Sequence, residues 1–98
     1  MLEALERIRN FSIGGRAAFL SDSKTQEAVA YEILKLGEAA NRVSKTFRHR
    51  HAGFPWARLI DLRNEIVHEH FRVDSDSPWE FVERELDGIE RELRGLTA

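Results

Sequence analysis

Apolar residues recur at intervals of three and four along most of this chain, the spacing that places side chains on one face of an α-helix. No stretch shows the strict alternation of apolar and polar residues that a half-buried strand requires. The two longest periodic sets are Val29, Ile33, Leu36, Ala40, Val43, Phe47 and, later in the chain, Trp79, Val82, Leu86, Ile89, Leu93, Leu96. The sequence therefore predicts an all-α fold.

The breaks in this periodicity predict where the helices begin and end. Helices are expected over residues 2 to 11, 25 to about 47, 55 to 71 and 77 to 96, separated by the segments "SIGG", "RHRHAGFPW" and "RVDSDS". Ser77, Pro78 and Glu80 match the pattern of a helix start. "RAAFLSDS" can add one short helix. We expect a single domain over residues 1–98, an up-and-down bundle of four main helices with room for a short fifth. Small residues at Gly37, Ala39 and Ala40 would allow a close helix approach.

Composition narrows the class of protein. The 98 residues include 42% hydrophobic and 33% charged residues and no cysteine, which suits a soluble domain and excludes disulfide and thiolate chemistry. There is no apolar run of about 20 residues and no signal-peptide pattern, so we expect a cytoplasmic protein that does not enter membranes. The net charge is −2, so any contact with nucleic acid needs a local cluster of cations.

The helix predicted over 55–71 places polar residues within its apolar face. At about 100° per residue, the apolar side chains fall within an arc of roughly 140°; they are Trp56, Leu59, Ile60, Ile66, Val67 and Phe71. Arg63 falls near the middle of this arc with His70 above it, and Asn64 and His68 stack at one edge. An unpaired buried guanidinium is costly. Arg63 is therefore either satisfied structurally or lines a polar cleft, where it can bind a phosphate or carboxylate.

The sequence lacks the residue patterns that metal sites and catalytic nucleophiles usually require. Glu65 and His68 have the Glu-x-x-His spacing of di-iron bundles, but that class needs a second such pair, and the remaining histidines outside "HEH" lie in "RHRH". The two histidines of "HEH" are too close in sequence for a zinc-protease helix. No serine lies in a strand-to-helix elbow. We therefore expect no metal and no cofactor.

The motif Arg63-Asn64-x-x-x-His68 resembles the signature of the HEPN superfamily. Three blocks in order, "LGEAANRVSK", "FPWARLIDLRNEIVHEHFRVD" and "PWEFVERELDGIERELRGL", are similar to the HepT-like toxins. The resemblance covers roughly residues 25 to 96, and the first helix is only loosely similar. It implies a metal-independent endoribonuclease toxin, a homodimer in which the motif helices of two chains face each other across a composite cleft, and RNA, transfer RNA included, as the substrate.

The resemblance also implies residue roles and a protein partner. Arg63 and His68 match the catalytic arginine and histidine, and Asn64 matches the polar residue that follows the arginine. The partner of such toxins is a minimal nucleotidyltransferase antitoxin that can attach adenylate to a tyrosine two residues after the histidine. Here that position is His70, and Tyr31, the only tyrosine, lies on another predicted helix.

The chemistry of the residues agrees with these roles. Histidine suits proton transfer, arginine suits the oxygens of a phosphorane, and a two-fold dimer supplies the second histidine that a base and an acid require. Arg48, Arg50 and His70 are candidate RNA contacts, although Arg48 and Arg50 can equally belong to a solvated turn at a helix end. The alternative function is a dimeric HEPN module without catalysis that binds its nucleotidyltransferase partner or an anion.

Overall fold

Seven helices and no strand form in the residues that the computed structural model describes, which are 1–68 and 77–97, without the side chains of 77 and 97. The helices are α1 (Leu2–Phe11), α2 (Gly15–Leu20), α3 (Ser23–Arg42), α4 (Lys45–Arg50), α5 (Trp56–His68), α6 (Ser77–Arg84) and α7 (Leu86–Thr97). The all-α prediction is confirmed. None of the helices in these ranges is long and apolar enough to cross a bilayer.

The longer helices run up and down between two ends of the molecule. Residues from the start of α1, the end of α3, the start of α5 and the end of α7 line one surface depression: Met1, Leu2, Val43, Trp56, Leu93 and Leu96. At the other end, Phe19 of α2 packs on Trp79 of α6 with ring centroids 5.2 Å apart. Helices α3 and α5 are therefore antiparallel neighbours.

Two side chains fix the start of α3 by forming hydrogen bonds with backbone groups that the helix ends leave unpaired. The Asp22 carboxylate accepts hydrogen bonds from the hydroxyl of Thr25 at 2.8 Å and from its backbone N–H at 3.4 Å. The hydroxyl bond above all lowers the pKa of Asp22. Buried Gln26 donates from Nε2 to the carbonyls of Phe19 and Leu20 at 3.0 and 2.9 Å. These contacts hold α2 against the first turn of α3.

Two of the predicted helices are divided in the structure. The helix expected to continue to Phe47 stops at Arg42, because Val43 is extended (φ −65°, ψ 136°) and the hydroxyl of Ser44 caps a new helix by accepting from the N–H of Phe47 at 3.1 Å. Arg48 to Arg50 thus lie on a helix, α4, rather than in the predicted turn. The last predicted helix is interrupted at Glu85, between α6 and α7.

Helices α3 and α5 approach most closely at Gly37. A Cβ atom built on Gly37 would lie 2.3 Å from the Cβ of Arg63 and 2.7 Å from the carbonyl oxygen of Leu59. Both distances are below any ordinary contact, so only glycine fits. The prediction that small residues allow a close approach is confirmed at Gly37, and Ala40, one turn on, is fully buried. This contact fixes which residues of α5 lie beside α3.

We predict that Gly37→Ala destabilises the fold by about 1–3 kcal/mol, since the added methyl must push α5 away from α3. Gly88→Ala on α7 is the matched control, because nothing lies within 4 Å of its Cβ position. The control should be neutral or slightly stabilising. Urea unfolding of both variants measures the difference. Equal stabilities would contradict the close contact at Gly37.

Candidate functional site

Helix α5 buries a stripe that differs from the predicted arc. Its buried residues are Trp56, Leu59, Leu62 and Ile66. Leu62, absent from the predicted arc, is 2% exposed, whereas Val67, placed inside it, is 42% exposed. The arc was therefore wrong in its orientation, because the contact with Gly37 turns the Leu59 and Arg63 side of the helix toward α3. The position of Phe71 lies outside the described residues.

Arg63 lies at the border of this buried stripe, and a carboxylate occupies the edge of its guanidinium that Nε and Nη2 form. Its Nε and Nη2 both lie 2.7 Å from Oε1 of Glu38 on α3, and its Nη1 donates to Oδ1 of Asn64 at 2.8 Å. The Arg63 and Glu38 side chains are 35% and 36% exposed. The arginine is thus held in one orientation by two partners while part of its side chain still reaches solvent.

Glu38 is a site residue that the motif did not indicate. Its only signal in the sequence is its place beside Gly37, in the block "LGEAANR", since a residue next to a close helix contact must lie near the facing helix. Sequence periodicity reports which face of a helix is apolar, but it does not report which side chain on a neighbouring helix meets a given arginine. The pairing of Arg63 with a carboxylate therefore emerged only from the packing of α3 on α5.

Asn64 and His68 belong to the surface of α5 that faces away from the core. We call the residues of this surface the outer stripe; they follow one another at intervals of three or one and are Ala57, Ile60, Asp61, Asn64, Val67 and His68. Asn64 is half-buried beside Arg63, and His68 is exposed at the last position of the helix. Five residues of α-helix separate Arg63 from His68, a rise of about 7.5 Å. Position 70 lies outside the described residues.

A depression of about 640 Å³ lies beside the outer stripe, between α4 and the first half of α5. Among its lining residues are Lys45, Arg48 and His49 of α4 and Trp56, Ile60 and Asp61 of α5. Of the two arginines predicted to contact RNA, Arg48 lines this depression and Arg50 does not. Only Arg48 of these two is therefore placed to contact a ligand in the depression, a difference that the sequence did not indicate.

Metal ligands do not gather anywhere in the described part of the chain. No group of three or more histidine, aspartate or glutamate side chains there could hold an ion. Glu65, one half of the Glu-x-x-His pattern, instead lies 3.9 Å from the Nη1 of Arg58. Along α5 lie an arginine with two partners, an amide and, at the helix end, an exposed imidazole that makes no hydrogen bond to that arginine, while cations of α4 line the depression beside the first half of the helix. This set can bind an anion and transfer a proton.

Known proteins match the chain over almost its whole length. The family model described as ribonuclease HepT-like matches residues 1–96, which includes the first helix that resembled the family only loosely. A protein of Thermococcus cleftensis named "Probable ribonuclease HepT" is 30% identical over 80% of this chain and 71% of its own length. A protein of Caldanaerobacter subterraneus, named as a candidate RNase, is 27% identical over 94% of this chain and 80% of its own. No solved structure is significantly similar to this chain.

We predict that Arg63 and Glu38 are energetically coupled by about 0.5–1 kcal/mol, a value reduced from that of a buried pair because both side chains are partly exposed. A double-mutant cycle of Glu38→Gln and Arg63→Met, followed by urea unfolding, measures this coupling. The pair Arg7 and Glu3, which lie 4.0 Å apart and are more exposed, is the control and should show almost none. Additive effects of Glu38→Gln and Arg63→Met would mean that the bond adds nothing to stability.

Proposed function

The chain belongs to the ribonuclease HepT-like family, and on that premise we propose that it is a metal-independent endoribonuclease, the toxin of a toxin–antitoxin pair. The observation that carries this proposal is the state of Arg63, held in one orientation by Glu38 and Asn64, partly open to solvent and five residues before His68 on the same helix. An arginine fixed in this way is prepared to receive a phosphate without losing much rotamer entropy on binding.

The proposed reaction needs proton transfer and charge stabilisation. The 2′-oxygen of the substrate attacks phosphorus, the bond from phosphorus to the 5′-oxygen breaks, and a cyclic phosphate and a 5′-hydroxyl result. One imidazole takes the proton of the 2′-hydroxyl and another gives a proton to the 5′-oxygen. Arg63 stabilises the charge on the non-bridging oxygens, and Asn64 orients Arg63 and can donate to phosphate through its amide. His68 is the group that we assign to proton transfer.

A second copy of the chain would supply the second imidazole. Val67 is 42% exposed beside His68, so the last part of the outer stripe presents an apolar side chain among its polar ones. A two-fold contact at this end of the stripe covers Val67, leaves Ile60 and the depression beside α4 open, and brings His68 of both chains to one cleft. We therefore propose a homodimer with a composite site.

A minimal nucleotidyltransferase is the partner that family membership suggests. Histidine replaces the tyrosine that such partners modify, and Tyr31 lies on α3 with its ring 4.9 Å from Nζ of Lys35. We propose that the partner acts on this chain by binding rather than by adenylylation of a motif tyrosine. Intact-mass mapping of adenylate on Tyr31 or His70 after incubation with the partner would contradict this.

The alternative function is a dimeric module that binds its partner or an anion without cleaving RNA. One observation favours it: the charge of Arg63 is already balanced by Glu38 in the free chain. A phosphate must then share or displace this carboxylate, which weakens its attraction to the site.

We predict that the purified protein cleaves RNA in the presence of a chelator and that Arg63→Ala and His68→Ala each lower the rate by at least about a hundredfold. Arg91→Ala, on the exposed face of α7, is the matched control and should cleave like the wild type. The circular dichroism of all variants verifies their fold. If a dimeric wild type cleaves none of several RNA classes, transfer RNA included, the binding module is the better description.

We predict that Val67→Glu yields a monomer that no longer cleaves RNA, because it places a charge in the apolar part of the proposed interface. Ile13→Glu is the control, since Ile13 is 88% exposed in the loop between α1 and α2. Sedimentation and the cleavage assay are run on the same samples. A dimeric Val67→Glu protein would place the interface elsewhere, and a fully active monomer would argue against a composite site.

A further inference from the structure

Arg48 carries a buried polar atom that nothing in the described part of the chain satisfies. Its Nε is shielded from solvent and has no hydrogen-bond partner among those residues. Arg58 and Arg63 on the neighbouring helix each have a carboxylate partner, at 2.8 and 2.7 Å. No ion pair forms at Lys45 or Arg48 within the described ranges. The Arg48 guanidinium is thus a cation without a carboxylate partner in the described part of the chain, and an anion that reaches it from the depression would balance its charge.

The depression that Arg48 lines has a cationic side and an apolar floor. Lys45, Arg48 and His49 approach from α4, whereas Trp56 and Ile60 form part of the floor. Its volume of about 640 Å³ is within the usual range of small-molecule sites. This arrangement favours an anion that is joined to a flat apolar group.

Asp61 restricts where that anion can lie. Its carboxylate is on the α5 side of the depression and repels negative charge. Arg58 also lines that side, but its guanidinium makes two bonds of 2.8 Å to Glu85. A phosphate is therefore drawn to the α4 side, and Asp61 is left free to accept a hydrogen bond from a base amino group or a sugar hydroxyl.

The depression and the candidate site share one surface of α5. Ile60 and Asp61 are followed on the outer stripe by Asn64 one turn later and by His68 one turn after that. Eight residues of helix separate Ile60 from His68, a rise of about 12 Å, which a few nucleotides of single-stranded RNA can span. An RNA strand that runs from the depression to the cleft at the His68 end of the stripe would thus meet both places.

We infer that this depression is a second contact for substrate RNA, at which a phosphodiester a few nucleotides from the scissile bond lies against Arg48 and Lys45 while a base packs on the apolar floor. The inference rests on the proposed ribonuclease function. It assigns Arg48 and Lys45 to substrate binding and leaves the chemistry to the residues around Arg63.

The test measures how the binding of a short single-stranded RNA depends on salt. The RNA carries 2′-O-methyl groups, so that it cannot be cleaved, and binding is followed by fluorescence anisotropy. Removal of one cation that binds a phosphate should make the slope of log K against log salt shallower by about 0.7, which corresponds to about fivefold weaker binding at 0.1 M salt. We expect this for Arg48→Ala and for Lys45→Ala. Arg50→Ala, from the same short helix but outside the depression, should leave the slope unchanged.

The salt slopes test the second RNA contact independently of the proposed cleavage activity. Slopes that are the same in Arg48→Ala, Lys45→Ala and Arg50→Ala overturn the second contact, even if unmodified RNA is cleaved. Slopes that become shallower in Arg48→Ala and Lys45→Ala alone support it, even if unmodified RNA stays intact, in which case the ribonuclease proposal fails by itself. Lys45 is exposed, so Lys45→Ala decides the question if Arg48→Ala does not fold. A partner protein that no longer binds these variants, with RNA binding unchanged, also overturns it.

Discussion

The contact between α3 and α5 at Gly37 is the constraint on which the candidate site depends. Because the two backbones nearly touch there, α5 has little freedom to rotate or slide along α3. The same contact sets Glu38 against Arg63 and turns Asn64 and His68 outward. A glycine in the core of a bundle thus determines the orientation of polar residues that lie on its surface.

The cations around α5 are in two different electrostatic states. Arg63 is paired, and its bonds to Glu38 and Asn64 use only part of the N–H donors that a guanidinium carries, so a phosphate can still be received on the remaining ones. Arg48 has a donor with no partner in the described chain. The paired state of Arg63 fixes its orientation and weakens its attraction for an anion, whereas the unpaired state of Arg48 leaves that attraction strong. Both properties are useful where a bound polyanion must be held and also aligned.

Sequence periodicity predicted the fold class and the main helices because burial of an apolar stripe requires it. It did not predict the interruption at Val43, since a break that is capped by Ser44 leaves the apolar spacing intact. The arc on α5 was misplaced because Leu62 and Val67 are equally apolar, and only packing decides which of them is buried. Arg63, Asn64 and His68 were recognisable through their motif. Glu38 and the distinction between Arg48 and Arg50 depend on neighbours that are remote in sequence, so no local pattern could reveal them.

The two tryptophans lie at opposite ends of the bundle. Trp56 is buried, donates from its indole to the carbonyl of His51 at 3.0 Å and lines the depression beside α4. Trp79 packs on Phe19 and bonds to Glu83. An occupant of the depression would change the surroundings of one indole and leave the other as an internal reference. The tryptophan fluorescence of this chain therefore reports on whether the depression is occupied. Single replacement of either tryptophan by phenylalanine would assign each part of the emission spectrum to one end of the molecule.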